Sequence, residues 1–243
     1  AASDVYKRQI LDVAGQKGTG KWSAIAAMDE NDPLTLITEA VYARLLSALY
    51  PERIKAASLY SGKLKVESGK LSDNAQLSIE DVRQALYAAK LISYAQGFSL
   101  LRHASEHYGW DLDYGTIARI WRKGCIIRSV FLQKITEAYR KDPDLENLLF
   151  DDFFHTKIQE ALPAWRRVVA EGALSGVALP AMSSALNYFD GLRTLYSAAN
   201  MIQAQRDYFG AHTYERTDRE RGHFFHTNWT GEGGNTVSGT YSV

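Results

Sequence analysis

Several features that would place a sequence in a class at once are scarce or missing here. The single cysteine, Cys125, excludes a disulfide within the chain and is typical of a reducing compartment. No apolar run is long enough to cross a bilayer, and no signal peptide is visible. Basic and acidic side chains balance at 28 each, so no overall charge attracts nucleic acid or a membrane surface. We therefore expect a cytoplasmic protein with neither partner, in which any anion site is a local cluster.

The patterns typical of β-strands are missing as well, whereas helical periodicity runs through most of the chain. Strict polar–apolar alternation does not occur, and apolar residues recur with helical spacing from Trp22 to Phe209. With 46% hydrophobic residues, the chain can bury a large core. The sequence therefore predicts an all-α fold in which residues 10–221 form one large helical domain.

Prolines are few, and Pro33, Pro51 and Pro180 stand where helices are predicted to begin. Asp32 is the predicted cap of the first of these helices. In the second half of the chain, apolar spacing and breaks predict helices at 114–121, 127–140, 153–162, 164–175 and 180–195.

The longest helical pattern begins at a capping box, in which Ser78 is followed three residues later by Asp81. The pattern continues from Ile79 to about Tyr108, which corresponds to roughly 45 Å of helix. Its middle, residues 85–98, is apolar almost all round, and such a helix is enclosed by others. We therefore expect a long central helix around which the domain is organised.

Two further patterns bear on how the domain is organised. The polar stretch at 64–76 contains a glycine and predicts a surface loop. Segments 22–50 and 164–195 share the order of an amphipathic segment, a loop and a proline-led helix. This shared order indicates a possible duplicated helical repeat, although residue identity between the segments is poor.

The two ends of the chain differ from this helical body. Residues 4–9 match the translation of a transposon end used in sequencing libraries, so we expect residues 1–9 to be a non-native or disordered leader and the protein to have begun further upstream. Residues 222–243 are rich in glycine, serine and threonine, and we expect them to form an extended tail. That tail should dock on another surface, because it carries aromatic side chains that are costly to leave in water, Phe224, Phe225 and Trp229.

A glycine-rich turn leads into the first predicted helix, with the sequence Gly15-Gln-Lys-Gly-Thr-Gly-Lys-Trp22. It nearly fits the P-loop of nucleoside triphosphatases, but Trp22 stands where a serine or threonine would hold magnesium, and no buried strand precedes it. We therefore discount that activity. A turn that brings Lys17, Thr19 and Lys21 to the start of a helix still predicts a phosphate-binding site.

A second candidate site lies at residues 199–214, where a helical stripe ends close to two cationic groups. Gly210 is the predicted left-handed stop of this helix, Arg206 lies in its last turn, and His212 follows the break. Such a pair can bind a polyanion, with the arginine acting as a planar fork. In the alternative interpretation, Arg206 satisfies the last carbonyls of the helix and His212 is a surface residue.

Other candidate metal-binding or catalytic residues are better explained by structural roles. His103 and His107 have the spacing of a metal-ligating pair, but no third ligand is near in sequence, so we interpret them as surface residues and predict no metal site. Asp151 and Asp152 precede a predicted helix and are interpreted as a capping cluster. No serine–histidine–aspartate or cysteine–histidine arrangement is evident.

Five runs closely resemble the decarboxylating 6-phosphogluconate dehydrogenases, and together they extend the resemblance from about Ile10 to about Trp229. The resemblance implies an NADP-dependent enzyme of the oxidative pentose phosphate pathway, which converts 6-phosphogluconate to ribulose 5-phosphate. In that family a large all-helical domain forms the homodimer, and the C-terminal tail threads into the partner subunit. The runs are residues 15–22, 93–98, 124–128, 148–154 and 202–212.

The resemblance also implies roles for particular residues. Lys17 and Thr19 match ligands of the substrate phosphate, and Arg44 matches a further phosphate contact. Arg206 and His212 match substrate contacts that the neighbouring subunit donates. Beyond the tail motif, nothing is implied for residues 230–243.

The family's dinucleotide-binding domain and its catalytic lysine and glutamate have no counterpart in these 243 residues. We therefore expect NADP to be bound mainly, and the catalytic residues to be supplied, by an N-terminal part outside this sequence. Two hypotheses remain open. The chain is the C-terminal part of such a dehydrogenase, inactive by itself, or it is a stand-alone helical phosphosugar-binding or scaffold protein without catalysis.

Overall fold

A computed structural model describes residues 9–60, 77–122 and 129–231, and helices dominate these ranges, which confirms the all-α class. The predicted loop at 64–76, Cys125, the tail beyond residue 231 and nearly all of the predicted leader lie outside the described residues. The helices are α1 (Thr19–Asp29), α2 (Thr35–Ala48), α3 (Tyr50–Tyr60), α4 (Ile79–Tyr108), α5 (Tyr114–Ile120), α6 (Leu132–Lys141), a 3-10 turn (Leu148–Phe150), α7 (Asp152–Leu174), α8 (Pro180–Leu192) and α9 (Ala199–Gly210).

The chain divides into two compact units, Ala1–Phe189 and Asp190–Val243. The second unit contains α9 and a small antiparallel pair of strands, β1 (Tyr214–Glu215) and β2 (Phe224–Phe225). Tyr214 pairs with Phe225, so the predicted tail boundary at residue 222 falls between two paired strands.

The central helix has the predicted bounds and the predicted capping box. The Asp81 amide donates to Ser78 Oγ at 3.0 Å, and the Ser78 amide donates to Asp81 Oδ2 at 2.9 Å. Gly109 ends the helix in the left-handed conformation. The helix packs mainly on α7, and side chains from both are fully buried, among them Leu91, Ile92, Phe98, Phe154, Ile158 and Trp165. The prediction of an enclosed central helix is confirmed for most of residues 85–98, although Leu86 among them is 60% exposed.

The prediction of two helices at 153–162 and 164–175 is wrong, because α7 continues through Pro163. A proline inside a helix removes one backbone hydrogen bond. Here Pro163 is exposed, so water can solvate the freed carbonyl, while Ala161 and Trp165 on the opposite face are buried. Packing along that buried face holds the helix together.

Two helices are shorter than predicted, because apolar residues next to their ends are exposed and do not belong to a buried stripe. Helix α6 begins at Leu132 rather than at residue 127, and Val130 before it is 95% exposed. Helix α8 ends at Leu192 rather than at residue 195, and Leu195 is 86% exposed. Single exposed apolar residues are common in proteins and do not mark a helix face.

Asp32 does not cap α2, which corrects the prediction. Its carboxylate is buried and accepts hydrogen bonds from Ser99 Oγ at 2.7 Å and from His103 Nδ1 at 2.8 Å. The α2 start instead receives a cap from the central helix. Gln96 Oε1 accepts from the Leu36 amide at 3.1 Å, and Gln96 Nε2 donates to Thr35 Oγ1 at 2.8 Å.

We expect Gln96→Leu to lower the free energy of unfolding by about 1–2 kcal/mol, because the Leu36 amide would lose the cap that Gln96 provides. Gln84→Leu on the same helix is the matched control, since the partner of Gln84 among the described residues is the exposed Glu80. Its effect should stay within about 0.5 kcal/mol. Urea denaturation of both variants checks this, and equal losses would contradict a capping role for Gln96.

Candidate functional site

The glycine-rich turn forms the start of α1. Gly18 precedes the helix in the left-handed region, with φ of 104°, and the Trp22 amide donates to its carbonyl at 2.9 Å. No side chain in the described parts of the chain caps this helix start, and no acidic residue lies in its first turn. Lys17 and Thr19, on either side of Gly18, are exposed. The helix-start amides and these two side chains are therefore open to solvent, and the phosphate-binding role of Lys17 and Thr19 stays a prediction.

Glycine at position 20 lets α1 approach α2 closely. A methyl group there would stand 2.8 Å from Val41 Cγ2, so any other residue would require Val41 or the helix to shift. Arg44 lies one helical turn after Val41, and Ser47 one turn after Arg44. The Ala14 amide donates to Ser47 Oγ at 2.9 Å. The segment from residue 14 to residue 20 therefore follows the α2 face that carries Arg44, between two points of contact.

Arg53 fixes the residues that precede this turn. Its guanidinium donates to the Asp12 carbonyl and to the Ser47 carbonyl, both at 3.1 Å, and it also pairs with the Asp12 carboxylate. That hydrogen bond lowers the pKa of Asp12 below its usual range. In contrast, neither Lys17 nor Arg44 has an acidic partner among the described residues. No acidic side chain among the described residues therefore offsets the charge of Lys17 or of Arg44, which suits an anion site.

The end of α9 differs from the prediction at one residue. Ala211, and not Gly210, adopts the left-handed conformation, with φ of 49°. Gly210 instead makes room for a side chain, because a methyl group there would stand 2.7 Å from His212 Nε2 and would displace that ring. The glycine lets the His212 ring pack directly against the backbone at the end of the helix.

Arg206 and His212 line one open depression on the second unit, together with Ile202, Gln205, Phe209 and Gly210. Arg206 is exposed, and its Nη1 donates to Gln203 Oε1 at 2.9 Å. This bond goes to a side chain one turn back rather than to the last helix carbonyls. The structure thus brings Arg206 and His212 together in the second unit, whereas Lys17, Thr19 and Arg44 lie in the first.

Asp207, which no sequence pattern singles out as a site residue, has a fully buried side chain. Its carboxylate accepts four hydrogen bonds, from the Thr213 amide, His226 Nδ1, the Thr227 amide and Trp229 Nε1, at 2.8–3.0 Å. Burial alone would raise the pKa of Asp207, but these four bonds together lower it. An acid in the last turn of a helix interacts unfavourably with the helix dipole. This unfavourable position was the sequence feature that could have drawn attention to Asp207.

The remaining candidates have structural roles. His107 Nδ1 lies 2.8 Å from Glu30 Oε2, so it and His103 each meet a carboxylate from the connection between α1 and α2. Asp151 accepts from the Phe153 amide at 3.0 Å and caps α7, as predicted. Within the described ranges, no cluster of histidine, cysteine and acidic residues could hold a metal ion. No helix there is long and apolar enough to cross a membrane.

Comparison with known proteins gives consistent matches. A family model described as "6-phosphogluconate dehydrogenase, C-terminal domain" matches residues 2–229, a range that begins within the predicted leader. The decarboxylating 6-phosphogluconate dehydrogenases of Aggregatibacter actinomycetemcomitans and Rattus norvegicus are both 53% identical, over 97% of this chain and 48% of their own length.

A solved structure gives the same result for the fold. It is described as Plasmodium falciparum 6-phosphogluconate dehydrogenase in its apo form and in complexes with NADP+ and with 6-phosphogluconate. It superimposes with a TM-score of 0.82 at 40% identity, over 93% of this chain and 49% of its own. The chain thus spans about half the length of the relatives it matches. On the range and strength of these matches, it belongs to the 6-phosphogluconate dehydrogenase C-terminal domain family.

Proposed function

We propose that this chain is the substrate-binding and dimer-forming part of an NADP-dependent enzyme that oxidises and decarboxylates 6-phosphogluconate to ribulose 5-phosphate. The observation that carries the proposal is the uncapped start of α1, with Lys17 and Thr19, beside the α2 face that presents Arg44. Two cations, a hydroxyl and helix amides match a phosphate dianion in charge and in hydrogen-bond donors.

Arg206 and His212 would complete the site of a neighbouring subunit. Two observations support this part of the proposal. The cationic depression lies on α9, and the same helix exposes Met201 by 63% and Phe209 by 80%, which suits a subunit contact. The partner would be a second copy of the chain, with residues 222–243 exchanged between subunits.

NADP does not fit the described residues. A dinucleotide site requires parallel strands followed by helices, and the strands described here are the two short antiparallel ones, β1 and β2. We therefore propose that an N-terminal domain beyond these 243 residues holds NADP and supplies the acid–base groups. The residues of this chain would hold the phosphate and orient the sugar acid, so that binding energy remote from the reacting carbons favours reaction. Such an enzyme would act in the cytoplasm.

Calorimetric titration of the chain tests the substrate assignment. We expect 6-phosphogluconate to bind at least about tenfold more tightly than gluconate, which lacks only the phosphate. The chain alone should form no NADPH, because hydride transfer requires a bound nicotinamide. Equal affinities for the two ligands would contradict the phosphate site. NADPH formation above a mock preparation would contradict the assignment of catalysis to another domain.

Sequencing the DNA that precedes the coding region of this chain would distinguish the dehydrogenase from the stand-alone scaffold protein. An in-frame glycine fingerprint of a dinucleotide-binding domain would support the dehydrogenase. A start codon and ribosome-binding site directly before Ile10 would favour a stand-alone binding protein instead.

A further inference from the structure

The four bonds to Asp207 connect separate parts of the second unit. Oδ1 accepts from the Thr213 amide at 3.0 Å and from His226 Nδ1 at 2.9 Å. Oδ2 accepts from the Thr227 amide at 3.0 Å and from Trp229 Nε1 at 2.8 Å. The carboxylate therefore ties the end of α9 to the residues that follow β2, through bonds that only an ionised acid can accept all at once.

One backbone bond and one side-chain bond to Asp207 hold the backbone on the two sides of His212. The Ala211 amide donates to the Asp207 carbonyl at 2.9 Å, and the Thr213 amide donates to the Asp207 side chain. Ala211 and Thr213 both have positive φ, 49° and 60°, a conformation that non-glycine residues adopt only when their surroundings enforce it. Asp207 thus enforces the turn that presents His212, and it directly follows Arg206 in the chain.

We propose that Asp207 is a positioning residue for the phosphosugar contact of Arg206 and His212, and that residues 226–229 act on that contact through it. The assignment rests on the proposed function. It adds that substrate affinity depends on Asp207 and residues 226–229, although these residues do not line the depression.

An electrostatic role and a positioning role for Asp207 predict opposite changes in substrate affinity when its charge is removed. A carboxylate beside a site for an anion repels that anion, so its neutralisation in Asp207→Asn would strengthen binding if charge alone mattered. If Asp207 positions His212, the same substitution weakens binding, because an amide presents a donor where two of the four partners also donate. The sign of the change therefore separates the two roles.

The test uses a milder variant as well, because a buried acid is hard to replace. Trp229→Phe keeps an aromatic ring and removes one of the four donors. Trp110→Phe is the matched control: Trp110 is 54% exposed against 46% for Trp229, and its indole nitrogen has no partner among the described residues. We expect Trp229→Phe to raise the dissociation constant for 6-phosphogluconate about fivefold to tenfold and to speed amide hydrogen exchange at Thr213. Trp110→Phe should change neither.

A second pair of variants keeps the test decisive should Asp207→Asn fail to fold. His226→Leu removes another donor, whereas His226→Asn places an amide nitrogen near the position of Nδ1 and should restore affinity. Faster exchange at Thr213 with an unchanged dissociation constant would overturn the positioning role and leave the proposed function intact. If the unsubstituted chain does not bind 6-phosphogluconate at all, the proposed function is overturned, and this role falls with it.

Discussion

Arg44→Ala should lower kcat/KM for 6-phosphogluconate by a factor of roughly 30 to 1,000 in the full-length enzyme. This factor corresponds to a loss of about 2–4 kcal/mol of transition-state stabilisation. Arg44 is exposed on the α2 face that the glycine-rich segment follows, and no acidic residue among those described neutralises it. A phosphate dianion held by its planar fork would lose two charge-assisted hydrogen bonds together with the charge itself.

Arg44→Lys should lose less than the alanine variant, because a lysine keeps the charge and gives up the fork geometry. Arg83→Ala on α4 is the control, since Arg83 is an exposed arginine whose described partner is Glu80. Steady-state kinetics of the three variants give the comparison. Kinetics of Arg44→Ala equal to those of the unsubstituted enzyme would remove Arg44 from the site.

The parts of the fold that sequence predicts well are those fixed by neighbouring residues. The capping box of Ser78 and Asp81 is closed within four residues, and its helix begins where the pattern places it. Most of the apolar middle of that helix is buried, as predicted. The composition on all sides of a helix is local information, and it determines whether the helix can face water.

The features that sequence missed depend on distant contacts. Pro163 would end an isolated helix, but α7 continues because its opposite face is buried against the central helix. Gly210 looks like a helix stop by local rules, and its real constraint is the ring of His212. Asp32 has the position of a cap, yet its carboxylate bonds His103 of the central helix. Tertiary packing outweighs local preference at each of these positions.

The candidate site shows the same division. Lys17 and Thr19 are recognisable because a glycine-rich turn before a helix is a local pattern. Family resemblance alone points to Arg44, since the contact of Gly20 with Val41, one turn before it, cannot be read from spacing. Asp207 was missed because its four donors lie between six and 22 residues away in the chain.

Arg206→Ala and Lys17→Ala homodimers should each be nearly inactive in the full-length enzyme, because each variant leaves every substrate phosphate short of a cation. The two residues lie in different units of the chain, and we propose that each active site takes Lys17 from one subunit and Arg206 from the other. A symmetric dimer then contains two identical composite sites.

Heterodimers of the two variants test this arrangement. With exchanged contributions, one site collects both substitutions and the other collects neither, so purified heterodimers should regain about half of the unsubstituted activity. If both residues served the site of their own subunit, each site of the heterodimer would carry one substitution, and activity would stay near that of the homodimers. Heterodimers isolated with two different affinity tags make the measurement direct. Failure to recover activity in them would rule out the exchange and leave Arg206 as a ligand within its own subunit.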